Sequence, residues 1–112
     1  MKKEWLHGVD VAITICDKKG IIVYMNRKAI AAFKDEGGKK LLGTNLLDCH
    51  PGKSREIVCE MLKTGKENIY TIEKGGVKKL IVQKPVYEHD AFSGIMEMSI
   101  ELPKDMPHHI RK

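Results

Sequence analysis

Aromatic residues are scarce in this chain of 112 residues: one Trp, three Tyr and two Phe make up 5% of it. Single-stranded nucleic acid is commonly held by bases stacked on exposed aromatic rings, and here there is little to stack on. Arginine is equally sparse. Of twenty basic residues only Arg27, Arg55 and Arg111 carry a guanidinium, and the lysines fall in ones and twos among Asp and Glu, as at Lys18-Lys19, Lys39-Lys40 and Lys78-Lys79. Base readout and phosphate forks favour Arg, so the net charge of +5 reads as a solvated lysine surface. A nucleic-acid partner is disfavoured.

The three cysteines, Cys16, Cys49 and Cys59, are odd in number and widely spaced. They make no disulfide framework, which fits a reducing compartment. No apolar run approaches the roughly 20 residues that cross a bilayer, and Met-Lys-Lys-Glu-Trp at the N-terminus lacks the long apolar segment of a signal peptide. The expectation is a cytoplasmic chain without a membrane span. A chain of this length buries about 65% of its unfolded surface, enough for one core without metal or disulfide staples. One domain is expected.

Hydrophobic periodicity then orders the elements. Val11, Ile13 and Ile15 alternate at period two and lead into the turn signal Asp17-Lys18-Lys19-Gly20, after which Ile21-Ile22-Val23-Tyr24-Met25 forms a second strand of a hairpin. Asn26, a favoured N-cap, precedes a short helix with Ala29, Ile30 and Phe33 on one face. Gly37-Gly38 interrupts it, and residues 39–51 read as single turns and irregular chain. A longer helix over Ser54 to Lys63 carries the stripe Ile57, Val58, Met61 and Leu62, with Ser54 expected as N-cap and Gly65 closing the C-terminus. From Glu67 the period returns to two. Strands over Asn68 to Glu73, Val77 to Tyr87 and Phe92 to Leu102 are separated by Lys74-Gly75-Gly76 and Glu88-His89-Asp90. In the last strand Met96, Met98, Ile100 and Leu102 are expected to face inward and Glu97, Ser99 and Glu101 to face water. The fold class is α+β: a five-stranded antiparallel sheet with short helices packed on one face.

The segment from Asp10 to Asn26, with its apolar strand, Asp-x-x-Gly turn and second strand ending in Asn before a helix of small apolar residues, resembles the start of a PAS domain. Leu42-Gly43 and the Gly94 strand fit the same pattern. The resemblance spans residues 7–103, leaving 1–6 as an N-terminal extension and 104–112 as a flexible tail. Leu46 to Ser54, with its Asp-Cys-His-Pro run, is similar to a segment of a bacterial and archaeal PAS subgroup. The resemblance implies a sensory or dimerising module: a small-molecule ligand between sheet and helices, and a homodimer or docking onto a signalling protein. Trp5 and Leu6, ahead of the core, suit such a contact.

Within that pocket haem is the most concrete cofactor, because a proximal His is the usual way to hold haem iron and His50 stands just ahead of the longer helix. Ile57, Val58, Met61, Leu80, Val82, Met96 and Met98 are the expected lining, with Cys49 beside His50. The alternative for His50-Pro51 is a plain turn into the helix, and for the methionines core filling. Cys49 precedes His-Pro-Gly and not the Arg-Phe-Leu-Gln of flavin-adduct PAS relatives, so that photochemistry is not expected. His50 is the metal candidate, yet Cys49 and His50 lack a second ligand pair at zinc spacing. Pro51-Gly52-Lys53-Ser54 ends like a phosphate loop, but Leu47 stands where its first glycine belongs. No set of residues looks catalytic, and no enzyme is expected. If His50 ligates haem iron, haem-reconstituted protein will show a Soret band that His50→Ala abolishes; colourless protein after reconstitution would remove the haem form.

Overall fold

A computed structural model describes residues 3–49 and 52–112, apart from the side chains of Lys3 and Cys49. Helix α1 (Lys3–Gly8) leads into strands β1 (Ala12–Asp17) and β2 (Ile22–Met25), then α2 (Arg27–Ala32). Three short 3-10 turns follow at Lys34–Glu36, Gly38–Leu41 and Leu46–Cys49, then helix α3 (Lys53–Thr64) and strands β3 (Asn68–Lys74), β4 (Val77–Glu88) and β5 (Ala91–Leu102). All pairings are antiparallel, in the order β2-β1-β5-β4-β3. The first and last strands are therefore neighbours at the centre of the sheet.

The β1–β2 hairpin is closed by side-chain chemistry already visible in the sequence. Asp17 Oδ1 accepts from the N–H groups of Lys19 (2.9 Å) and Ile21 (3.0 Å), an Asx-type turn. Gly20 completes it at φ +89°, where any Cβ would be strained and would press on Asn45 Oδ1. Beyond the turn, the outer edge of β2 is covered at its start, because Ile22 donates to Thr44 O, Gly43 donates to Ile22 O and Leu46 donates to Gly20 O. A covered edge cannot recruit another strand.

Asn26 is fully buried and uses its whole carboxamide. Its Oδ1 accepts from Ile13 N–H (2.9 Å) and from Ala29 N–H (3.0 Å), the second being the N-cap bond of α2. Its Nδ2 donates to Val11 O (2.7 Å) and Leu6 O (3.1 Å). The strand β1, the chain leading out of α1, and α2 are thus pinned to one side chain. Ala12, Ile22, Met25 and Ala29 form a buried cluster beside it, while Cys16, Met61 and Ile95 form a second.

Two local expectations are corrected. Helix α3 begins at Lys53 behind Gly52, with no side-chain cap bond, so Ser54 lies inside its first turn and does not cap it. The facing of β5 is inverted. Ile95 is buried against Cys16 and Met61, and Gly94 lies so close to β1 that a Cβ would overlap the Cys16 carbonyl oxygen. That approach fixes the register Cys16↔Ile95, and period two then puts Glu97 and Ser99 on the helical side and Met96, Met98 and Ile100 on the other.

Replacing Asn26 by Ala would strand two buried donors and two acceptors, each costly when unsatisfied, and remove a helix cap. We expect a loss of about 3 kcal/mol or more by urea denaturation; a loss under about 1 kcal/mol would show that these bonds are dispensable.

Candidate functional site

Between the sheet and the helical layer lies a cavity of about 370 Å³. Its sheet side is built in rows by the strand register. One row crosses four strands as Asn68, Gln83, Glu97 and Thr14, each opposite the next. The adjacent row is Tyr70, Ile81, Ser99 and Ala12. Phe33 at the end of α2, Leu41 and Leu46 from the connecting turns, and Val58 and Met61 from α3 supply the apolar side. Cys16, Ile22, Met25 and Ile95 fill the end nearest the hairpin, and exposed Glu36 and Ile72 mark the rim.

The polar row is internally bonded. Asn68 Nδ2 donates to Gln83 Oε1 (3.0 Å), and Gln83 Nε2 donates to Glu97 Oε2 (2.6 Å). Gln83 is only 5% exposed, and its amide has one orientation compatible with both bonds. A carboxylate is thereby held by a buried amide on an otherwise largely apolar lining. Burial, and secondly the Glu97 charge, raise the Tyr70 phenol above its usual value. Burial is also the main reason that the Cys16 thiol is raised, partly offset by a bond with the Ile95 backbone. Cys16 is held neutral, as an inert thiol.

Of the residues expected to line a pocket, Val58 and Met61 do so. Ile57 is 45% exposed and lines a separate, shallower cleft of about 300 Å³ with Ser54 and Asn68. That cleft shares Val58, Tyr70 and Gln83 with the main cavity. Leu80, Val82, Met96 and Met98 belong to the opposite face of the sheet, since their neighbours at odd positions line the cavity. His50 lies outside the described residues, as does the side chain of Cys49. Gln83, Glu97, Tyr70 and Ser99 were missed, because a polar face turned to a cavity has the same alternation as one turned to water. The signal that could have found them is Gly94: a glycine needed for close approach to β1 sets the parity of β5. Among the described residues no three His, Cys, Asp or Glu side chains gather as a metal site.

No protein-family model matches this sequence, and no curated protein matches it. Solved structures do match. The C-terminal domain of a Streptococcus mutans protein superposes with a TM-score of 0.69 at 23% identity, over 86% of this chain and 78% of that one. The PAS domain of BvgS from Bordetella pertussis gives 0.65 at 17% identity, over 90% and 83%. The Aer2 receptor of Vibrio cholerae, a dual PAS-heme oxygen sensor, gives 0.62 at 15% identity, over 83% and 95%. The fold is that of a PAS domain. At these identities the likeness carries the PAS architecture and leaves the ligand to be argued from the site itself.

Burial of Cys16 within the PAS cavity makes a chemical prediction. Exposed Cys59 should react with a thiol reagent in the native protein, and Cys16 only on unfolding, as peptide mapping of the alkylated chain will show. The raised Cys16 value also has a pH consequence: its contribution to stability is full below the ordinary thiol range and is lost as pH rises through the folded value, because the unfolded chain releases that proton first.

Proposed function

We propose that this PAS-fold chain is a sensory module that takes a small ligand between sheet and helices and passes occupancy on by protein contact. The cavity carries this reading: its volume falls in the range of small-molecule sites, and its lining joins apolar walls to a few convergent polar groups, as such sites do. Phe33 and Met61 line it without filling it. That favours a ligand over a pure interaction domain whose own side chains close the pocket.

The haem form of the reading depends on His50. The donors described around the cavity include the Met25 and Met61 thioethers, the Cys16 thiol and the Tyr70 phenol, both of which burial keeps protonated, the Gln83 amide, and the Glu97 and Glu36 carboxylates. None is an imidazole, and a thioether ordinarily serves haem iron beside a His. His7 stands on α1 against Tyr24, His89 in the β4–β5 turn, and His108 and His109 beyond β5. The haem form therefore rests on His50 alone, while the described lining, apolar walls with a few polar groups, supports an organic ligand.

The contact half of the reading rests on the opposite sheet face. The row Ile69, Val82, Met98 and Ile13 crosses four strands there; Val82 and Ile13 are buried within the chain, but Ile69 at its outer end is 49% exposed, and Trp5 on α1 is 67% exposed. A homodimer, or docking onto a signalling protein, would bury this surface. No described helix is long and apolar enough to cross a membrane.

Native mass spectrometry of the purified protein tests both halves at once. A bound small molecule should appear as an adduct that denaturation releases and that Val58→Trp, which fills the cavity, prevents. Ile69→Asp should leave the fold intact and remove the dimer. A bare monomer, with no gain in melting temperature on adding extracts of its host's small metabolites, would overturn the proposal.

A further inference from the structure

Glu97 sets the chemistry of whatever enters the cavity. Its Oε2 is taken by Gln83, and its Oε1 has no hydrogen-bond donor among the described residues. Both groups of the Gln83 amide are already used, the carbonyl by Asn68 and the amide nitrogen by Glu97, so what this part of the row still offers is the acceptor capacity of Glu97 Oε1. Nearby cations are occupied or distant: Lys28 pairs with Asp10 and Glu101, and Lys84 with Glu67. Lys79, the cation of the lining, stands four residues along β4 from Gln83, about 13 Å of strand. Glu36 at the rim adds a second negative charge.

On the ligand-binding reading above, we infer that the ligand is a protonated amine with a compact apolar body, its ammonium group received by the Glu97 carboxylate and its body by Phe33, Val58 and Met61. A part-buried carboxylate with one free oxygen gains most from a donor that also carries positive charge, and an anionic ligand would meet Glu97 and Glu36 together. The raised Tyr70 phenol is consistent with a Glu97 charge felt across this space.

The test uses three probes of one shape on the full chain: 2-phenylethylamine, 2-phenylethanol and phenylacetate, each titrated at millimolar concentration while the melting temperature and tryptophan-independent calorimetric heat are followed. The amine should bind, the alcohol more weakly and the carboxylate least. Glu97→Gln keeps an amide-to-carbonyl bond with Gln83 and should weaken amine binding by about tenfold to a hundredfold, and alcohol binding by a smaller factor, with the variant's own melting temperature close to that of the parent. Equal binding of all three probes, lost in Val58→Trp, would leave the ligand cavity standing and overturn the amine assignment. Amine binding that survives Glu97→Gln would overturn it as well, and so would failure of the amine to bind a protein that carries another small molecule in its native mass spectrum.

Discussion

The Asn26 carboxamide joins three pieces of chain at one point, and the cavity exists because they are joined there. It holds β1 beside the chain leaving α1, caps α2, and fixes where that helix leaves the sheet. Only a residue with two donors and a twofold acceptor on one planar group can do this. Asp would lack the donors, and Gln would carry the group one carbon too far. Because α2 is short and ends at Phe33, the position of its start decides whether Phe33 reaches the cavity at all.

From that anchor the sheet divides the molecule's work between two faces. The face under the helices pairs a polar row with apolar walls, and the far face carries an apolar row across the same strands. Strand alternation forces the two sets to be neighbours in sequence and opposite in space. A change at Glu97 or Gln83 is thus one residue away from Met96, Met98 and Val82 on the other face.

Burying polar groups under a helical layer is destabilising unless they are bonded, and here the row bonds itself. Gln83 accepts from one neighbouring strand and donates to the other, so its cost is offset within the sheet. Among the described residues no buried side-chain polar atom is left without a partner. The row is therefore part of the sheet's cross-strand pairing, and its one free oxygen is exposed to the cavity and not locked in the core.

The order and type of the elements from β1 onward, the Asp17 turn, the Asn26 cap and the β3–β4–β5 meander were legible in the sequence, because each is written in local spacing: period two, period 3.6, and turn or cap residues at fixed offsets; helix α1 (Lys3–Gly8), too short to show a period, was not. Val58 and Met61 were legible for the same reason, as the buried stripe of a helix. The facing of β5, and with it Glu97 and Ser99 at the cavity and Leu80, Val82, Met96 and Met98 away from it, was decided only by tertiary structure. Alternation names two faces without saying which one the helices cover. That choice rests on the contact between Gly94 and the Cys16 carbonyl, residues 78 positions apart in the chain, and no local pattern can carry it.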